Sequence, residues 1–264
     1  MSILARLAIA AAIALAISLL ARRARSLDAA GAAVATVTGT LALLAGWRWG
    51  VLLVVYFASA SALSRFGAAR KDARTSSVIA KGGARDAWQV LANGGVFALA
   101  AALSVALPPY EQRWLALGIA ALAASASDTW ATEIGTLYGG APRSILHWSP
   151  VPVGMSGGVT VVGVLAAIAG AAFIALVSLA LGWPVRVALA SIIGGFAGST
   201  LDSVLGATLQ QRRWCDRCNR ATERVVHDCG TRTRVIGGLA AMNNDSVNLL
   251  CGLVGGLIAL VITG

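Results

Sequence analysis

Charged side chains are scarce in this chain of 264 residues. They make up 12% of the sequence, whereas hydrophobic residues make up 58%. A soluble globular domain carries about a quarter charged residues, so the composition excludes that class of protein. Mean hydropathy is +0.78. We therefore predict an all-α fold, a polytopic membrane helix bundle, with the lipid bilayer as its first partner.

A second absence concerns the first apolar stretch. It is not followed by a small-x-small cleavage site and a soluble domain, so we expect it to be retained as a span. Apolar stretches of about 17 to 25 residues predict spans near Ile3–Leu20, Ala29–Ala45, Trp49–Ser64, Val90–Leu107, Trp114–Ser127, Gly157–Leu181, Val185–Thr208 and Val235–Thr263. The last has a polar first third, so we predict seven or eight spans. We treat residues 1–264 as one integral membrane domain, with residues 209–234 as a loop inserted between the last two spans.

Acidic residues are fewer than basic residues, and the basic residues are unevenly distributed along the chain. The chain has 11 Asp and Glu against 21 Lys and Arg, a net charge of +10. Every second loop is rich or poor in basic residues as follows. The loops Ala21–Asp28, Arg65–Asp86, Asp128–Ser149 and Leu209–Arg234 contain three, six, one and seven basic residues, respectively. The positive-inside rule puts these loops in the cytoplasm, and we expect a prokaryotic cytoplasmic membrane. Because topology accounts for the positive charge, no nucleic-acid partner is expected.

Four of the few acids lie in or beside apolar spans: Asp128, Glu133, Asp202 and Asp245. An ionised side chain near a bilayer core costs at least about 2.5 to 3.5 kcal/mol, so such residues usually face a cavity, a partner or a metal. The predicted orientation brings all four to the cytoplasmic side. We predict that Asp128, Asp202 and Asp245 bind Mg²⁺, with Glu133 as a further ligand or an orienting group.

Basic residues and glycine turns are expected at the same level. Lys81, Arg85 and Arg143 are candidates to bind phosphate, although loop cations often serve only to set topology. Gly154–Gly158 precedes the sixth predicted span, and a glycine turn that opens a helix presents free N–H groups to phosphate oxygens. We therefore include Ser156, Gly157 and Gly158 in the predicted substrate site.

Two pairs of amides add polar stripes to the predicted helices. Gln89 and Asn93 are spaced i, i+4, as are Asn244 and Asn248, so each pair occupies one helix face. Such stripes either bind nucleotide and substrate or hold helices together by hydrogen bonds. The pattern Ser-x-x-Asp-Thr/Ser also occurs twice, at Asp128 and at Asp202. A duplication would make these two acids equivalent ligands, but chance similarity explains the pattern equally well.

The loop before the last span carries a cysteine and histidine motif. Cys215, Cys218, His227 and Cys229 have the spacing C-x2-C-x8-H-x-C. Four such ligands fit a tetrahedral structural zinc site with no position left for substrate. A redox-active or disulfide-bonded pair is the alternative, but cytoplasmic thiols are normally reduced. We therefore predict a structural Zn²⁺ that shapes the loop.

Several motifs together resemble one family. They are Lys81–Gly94, Ser127–Gly135, Ser156–Val159, Leu201–Gln210 and Asn243–Asn248. In this order they are similar to the transmembrane protein nineteen family, which includes a chloroplast phytyl-phosphate kinase, and the resemblance extends from about Ala29 to the end of the chain. It implies transfer of a phosphoryl group from a nucleoside triphosphate, with CTP expected, to an isoprenoid monophosphate such as phytyl or geranylgeranyl phosphate.

A weaker likeness connects residues 128–135 and the later Gly-x-Ser-Gly-Gly turn to the CTP-using dolichol kinases and phosphatidate cytidylyltransferases. Met155 stands where that pattern would have Thr, a departure that bears on nucleotide preference. The rival functions are therefore a polyprenol or lipid kinase, a CTP-dependent cytidylyltransferase, and an ion-coupled transporter, in which buried acids would form an ion path. The sequence leaves open whether the chain forms a homo-oligomer.

Overall fold

Long apolar helices dominate the architecture. The computed structural model describes residues 2–80 and 82–264, and within these ranges the chain forms nine α-helices and two small sheets. The helices are α1 (Ile3–Arg23), α2 (Ala29–Ala45), α3 (Trp47–Arg65), α4 (Ala68–Thr75), α5 (Ala87–Ala106), α6 (Glu111–Tyr138), α7 (Val161–Ala180), α8 (Val185–Thr208) and α9 (Asn244–Thr263). All but α4 are long and mainly apolar, which confirms a polytopic helical membrane protein.

Six of these helices, counted over the described residues, are long and apolar enough to cross a membrane: α1, α3, α5, α7, α8 and α9. The apolar helix α2 is shorter, at 17 residues. At 28 residues α6 is long enough, but Asp128, Glu133 and several hydroxyl side chains make its second half polar. Within the described residues, the helices therefore follow the order of the eight predicted stretches, and six of them have the length and hydropathy of a membrane span.

Helix α6 is the centre of the bundle. It packs against α5, α7, α8 and α9, and its residues from Leu115 to Ser127 are all buried. Small residues let its neighbours approach closely: a Cβ on Gly194 of α8 would meet the backbone oxygen of Gly255 in α9 at 2.3 Å. Close packing of this kind is typical of membrane helices, and it fixes where α8 and α9 present their polar residues.

The connections differ between the two ends of the bundle. At one end they are short, at residues 46, 107–110 and 181–184, whereas at the other they span residues 24–28, 66–86, 139–160 and 209–243. We call this second end the polar end. Helix α4 and all five strands belong to its connections.

The inserted loop forms a small antiparallel sheet. Its strands are β3 (Arg212–Cys215), β4 (Arg220–Thr222) and β5 (Arg234–Gly237), in the order β4-β3-β5. A second sheet pairs β1 (Arg143–Ser144) with β2 (Gly158–Val159). We call residues 212–237 the Cys/His module, and it extends slightly beyond the predicted loop of residues 209–234.

Three predicted boundaries were wrong in ways that affect the site. The fifth span does not end near Ser127, because nothing in residues 128–138 interrupts the helix and α6 continues to Tyr138. The sixth span does not begin at Gly157, because Gly158 pairs in β2 and the side chain of Thr160 caps α7 at Gly163. The last span does not begin at Val235 but at Asn244, where the side chain of Asn243 provides the N-cap.

Candidate functional site

A cavity of about 950 Å³ lies at the polar end. The starts of α5, α7 and α9 and the ends of α3, α6 and α8 contribute to its lining, which shows that these helices alternate in direction. Among its lining residues are Arg85, Gln89, Asn93, Asp128, Glu133, Ser156, Gly157, Gly158, Asp202, Asn244, Asp245 and Asn248. The fold thus gathers residues that are far apart in the sequence around one space, such as Arg85 and Asn248, which are 163 positions apart.

One predicted phosphate ligand among the described residues is not part of this lining. Arg143 is exposed on β1, and its guanidinium donates a hydrogen bond to the backbone oxygen of Trp148 at 2.8 Å. Lys81 lies outside the described residues. Arg85 is therefore the predicted cation that the described structure places at the cavity.

Asp128 and Asp202 face the cavity from neighbouring helices, α6 and α8, and interact electrostatically. The side chain of Cys251 lies beside Asp202, yet the Oδ2 atom of Asp202 is buried and has no hydrogen-bond partner among the described residues. Asp245, in the first turn of α9, is also buried and lines the same space. A buried carboxylate oxygen beside a second carboxylate calls for a cation, and hard oxygen ligands of this kind fit Mg²⁺.

Glu133 has a different environment, since it takes part in a network of protein side chains. Its carboxylate forms an ion pair with Lys71 of α4 and accepts a hydrogen bond from the hydroxyl of Ser64 at 2.6 Å. Arg85 donates to Ser61 at 3.1 Å and to Ser64 at 3.2 Å. This arrangement favours the orienting role for Glu133, because its charge is matched within the protein. The guanidinium of Arg85 contacts these two hydroxyls and lies over the ring of Phe57 at 5.7 Å. Within the described chain it forms no ion pair with a carboxylate, so its charge is available to an anion.

The Lys71–Glu133 pair should contribute strongly to stability. Both side chains are largely buried, with 9% and 19% exposure, and removal of one partner from such a pair typically costs about 3 to 5 kcal/mol. We expect Lys71→Met to lower the thermal unfolding temperature of the purified protein markedly, and the double variant with Glu133→Gln to recover most of the loss.

The control for this experiment is Arg70→Met, because Arg70 precedes Lys71 on α4 but is exposed. It should unfold like the unaltered protein. Equal unfolding temperatures for Lys71→Met and Arg70→Met would contradict the buried pair.

The amides of α5 already serve the helix itself. Asp86 and Gln89 form a capping box, in which each side chain bonds to the other residue's backbone N–H. Asn93 donates to the backbone oxygen of Gln89 at 2.9 Å, and Ser125 of α6 donates to the backbone oxygen of Asn93 at 2.9 Å. Both amides border the cavity, but the bonds that they make are those of helix capping and helix contact.

The glycine turn is held by a residue that the sequence reasoning missed. The backbone N–H of Ser156 donates to Glu223 of the Cys/His module at 3.1 Å, and the Ser156 hydroxyl donates to the same oxygen. On the other side the turn lies directly on α8, since a Cβ on Gly157 would come within 2.5 Å of the side chain of Ala207. Gly157 also has a φ of +79°, so close approach and backbone conformation both require glycine here.

The Cys/His module is docked on the cavity wall. The hydroxyl of Thr222 donates to the backbone oxygen of Ser77 at 2.9 Å, and the N–H of Glu223 donates to the backbone oxygen of Val78 at 2.8 Å. These bonds place Glu223 against the turn. Burial raises the pKa of its carboxyl, and the bonds from Ser156 oppose that shift in part.

The four predicted zinc ligands lie together in this module. Their ligand atoms are all within 4.8 Å of one another, and the sulfurs of Cys215 and Cys229 are 3.5 Å apart. Sulfurs around a tetrahedral zinc ion are about 3.8 Å apart, given Zn–S bonds of about 2.3 Å. The Nε2 atom of His227 is buried without a hydrogen-bond partner among the described residues. Hydrogen bonds from Thr231 lower the pKa of Cys229 to about 5, which favours the thiolate at this one residue. The hydrogen bond with Cys229 raises the pKa of Cys218 to about 11, so metal binding would have to displace the proton of Cys218.

Lys71 and Glu223 are charged site residues that the sequence did not indicate. Lys71 lies in a stretch with Arg70 and Arg74, and nothing in that pattern separates the buried cation from its exposed neighbour. Glu223 lies among the motif ligands in sequence and contacts the turn only because the module folds back on residues 76–78. Both side chains act through contacts that are distant in sequence.

Comparison with known proteins agrees with the membrane architecture. The profile of the family described as integral membrane protein DUF92 matches residues 12–256. Protein PGR of Arabidopsis thaliana is 31% identical over 250 residues, which cover 86% of this chain and 85% of the relative. The uncharacterized membrane protein MJ0933 of Methanocaldococcus jannaschii is 28% identical over 264 residues, with 99% and 96% covered. No solved structure matches this chain significantly. The family resemblance seen in the sequence motifs is confirmed, and the chain belongs to the DUF92 family of integral membrane proteins.

Proposed function

We propose that this protein is a membrane-embedded kinase that transfers the γ-phosphoryl group of a nucleoside triphosphate, with CTP as the expected donor, to an isoprenoid monophosphate. The observation that carries the proposal is the cavity at the polar end, where Asp128, Asp202 and Asp245 lie around one space with Arg85. Acids that bind a metal and a cation that binds phosphate are the usual components of phosphoryl transfer sites. The positive-inside rule supports a polar end that faces the cytoplasm of a prokaryotic cell.

Each group has a role in this proposal. Asp128, Asp202 and Asp245 would hold Mg²⁺, which neutralises charge on the transferred phosphoryl group when it is bound. Arg85 would hold a phosphate of the nucleotide or of the acceptor, and Lys81 remains a predicted phosphate ligand. Asn244 and Asn248 on α9, with Gln89 and Asn93 on α5, would border the nucleotide.

The acceptor needs no general base. A phosphate monoester has a second pKa near 6 and is mostly dianionic at neutral pH. One of its oxygens attacks the γ-phosphorus, the bond between that phosphorus and the β-bridging oxygen breaks, and the nucleoside diphosphate leaves with the bonding electrons. The protein therefore has to position two anions and balance their charge, and the acids and Arg85 suit that task.

The test is a direct assay on the purified protein. It should be supplied with Mg²⁺, CTP or ATP, and phytyl, geranylgeranyl or farnesyl phosphate, and the products should be identified by mass. We expect the isoprenoid diphosphate and the nucleoside diphosphate in equal amounts. Product from a free polyprenol would favour the lipid kinase, and pyrophosphate release with a CMP-linked lipid would favour the cytidylyltransferase.

Absence of turnover with any pair, together with nucleotide-independent ion flux in liposomes, would favour the transporter instead. The arrangement of the acids argues against that function. A transporter site is expected near the bilayer midplane, whereas this cavity receives residues from all four connections at the polar end.

Glu223 is proposed as a positioning residue for the turn at Ser156. Since burial raises its pKa, folding favours the protonated carboxyl, and the stability of the protein should fall as the pH rises above the ordinary glutamate range. We expect Glu223→Gln to remove this pH dependence of thermal unfolding and to keep turnover within a few fold, because its amide oxygen still accepts both bonds. Glu223→Ala should reduce kcat/KM by roughly 10- to 100-fold, the usual effect of losing a supporting hydrogen-bond partner. Equal activity of the Gln and Ala variants would contradict the positioning role.

A further inference from the structure

The cavity at the polar end has an apolar side that reaches the lipid-facing surface. Val161, Val164 and Leu165 of α7 line it, and so do Phe196 and Thr200 of α8. Val161 is 73% exposed and Leu165 is 62% exposed, so these side chains border the cavity and the bundle exterior together. Exposed apolar residues on a membrane-spanning helix face lipid chains. The space that holds Asp128 and Asp202 therefore extends to exposed apolar side chains of α7, beside α8.

We infer that the gap between the first turns of α7 and the facing turns of α8 is a lateral portal that binds the hydrocarbon tail of an isoprenoid phosphate. This inference rests on the proposed function, since it assigns the tail of that acceptor. The lining suits an amphiphilic ligand. Its polar part contains the carboxylates and Arg85, and its apolar part contains valine, leucine and phenylalanine. A tail in the portal would remain in hydrocarbon while its phosphate reaches the acids, so the substrate would not have to leave the membrane.

A second apolar groove is the natural rival. It has a volume of about 450 Å³ and lies between α2 and α5. Its described lining comes only from those two helices and includes no charged residue, with Val34, Val37, Leu91 and Leu99 as typical members. That groove shares no described lining residue with the cavity that holds Asp202, whereas residues of the α7–α8 portal line the same cavity as Asp202 itself.

The portal can be tested with a substitution that narrows it and a matched control substitution elsewhere on the same helix. Leu165 and Leu176 both lie on α7, with 62% and 64% exposure, but Leu165 borders the cavity and Leu176 does not. We expect Leu165→Trp to reduce kcat/KM for geranylgeranyl phosphate at least 10-fold while turnover of the short dimethylallyl phosphate changes less than threefold. Leu176→Trp should leave both values unchanged. Equal losses for the long and the short substrate in Leu165→Trp, or no loss for either, would overturn the portal.

Photolabelling separates this inference from the kinase proposal. The full chain in lipid nanodiscs should be irradiated with farnesyl phosphate that carries a diazirine at the end of its tail, and the labelled peptides identified by mass. We expect labels within residues 161–165 or 196–200, reduced by Leu165→Trp and not by Leu176→Trp. Labels confined to residues 33–41 and 91–102 would place the tail in the rival groove and refute the portal, whether or not the protein transfers phosphate. Labels in the portal without any turnover would support the tail-binding site and refute the proposed kinase activity.

Discussion

Asp202→Asn is expected to abolish most of the activity without weakening the fold. The Oδ2 atom of Asp202 is buried, has no hydrogen-bond partner within residues 2–80 and 82–264, and lies near the charge of Asp128. Asparagine has the same shape and removes a buried negative charge that is costly in the absence of a cation. Loss of one preorganised electrostatic group in an active site typically reduces kcat by about 100- to 1,000-fold. We therefore expect a loss of that order, with a thermal unfolding temperature equal to or above that of the unaltered protein.

The dependence on Mg²⁺ makes this prediction specific. If Asp128 and Asp202 hold the same ion, each single Asn variant should need more Mg²⁺ for half-maximal turnover. The double variant should then lose little beyond either single variant, because residues that act as a unit are strongly non-additive. If the losses of turnover in the two single variants multiply in the double variant, Asp128 and Asp202 have independent roles. Measurements of initial rate against Mg²⁺ concentration, in the presence of a fixed nucleotide concentration, distinguish the two results.

Asp216→Asn is the matched control. Asp216 is an exposed acid of the Cys/His module, 64% exposed, and it pairs with Arg234 at 3.0 Å. Exposed ion pairs contribute about 0 to 1 kcal/mol, so its loss should affect neither turnover nor Mg²⁺ dependence. If Asp202→Asn behaves like Asp216→Asn, the metal assignment is wrong.

The sequence was sufficient for the membrane bundle and for the gathering of the acids. Apolar stretches identify helices because a bilayer requires them, and alternate helices must bring their ends to the same side. That geometry predicts Asp202 and Asp245 at the same end of the bundle as the glycine turn. The repeated Ser-x-x-Asp pattern also falls on α6 and α8, where Asp128 and Asp202 face one cavity. The pattern alone did not decide whether they would be neighbours.

Other features depend on contacts that no local pattern encodes. Asp128 was expected at the end of a span, but α6 continues past it, since its polar face is turned to a cavity and not to lipid. Arg143 was expected at the site, but the pairing of β1 with β2 holds it on the exterior. Lys71 and Glu223 become site residues only when α4 and the Cys/His module fold onto the bundle. Sequence periodicity predicts individual helices well, whereas these positions are set by packing between segments far apart in the chain.

Removal of the proposed zinc ion should impair activity from a distance. Cys215 is fully buried in the module, and structural zinc contributes apparent binding energies of about 10 to 16 kcal/mol in small zinc domains. We expect Cys215→Ser to lose the metal and to unfold the Cys/His module, while the membrane helices stay folded. Glu223 would then leave the turn at Ser156, and kcat/KM should fall at least as far as in Glu223→Ala. Zinc content by elemental analysis, hydrogen exchange over residues 212–237 and steady-state kinetics measure the three effects.

Two comparisons decide whether zinc acts through Glu223. Asp228→Asn is the control, because Asp228 lies between His227 and Cys229 in the chain but pairs with Arg224; it should keep both the metal and the activity. Glu223→Ala added to Cys215→Ser should cause little further loss, since both changes release the same turn and coupled sites are not additive. If Glu223→Ala lowers kcat/KM in Cys215→Ser as much as it does in the unaltered protein, the module and Glu223 support the cavity independently. A well-folded, active protein that contains no zinc would contradict the proposed zinc site. If the combined variant matches Cys215→Ser alone, the module's role is to hold one carboxylate against one turn of the cavity wall.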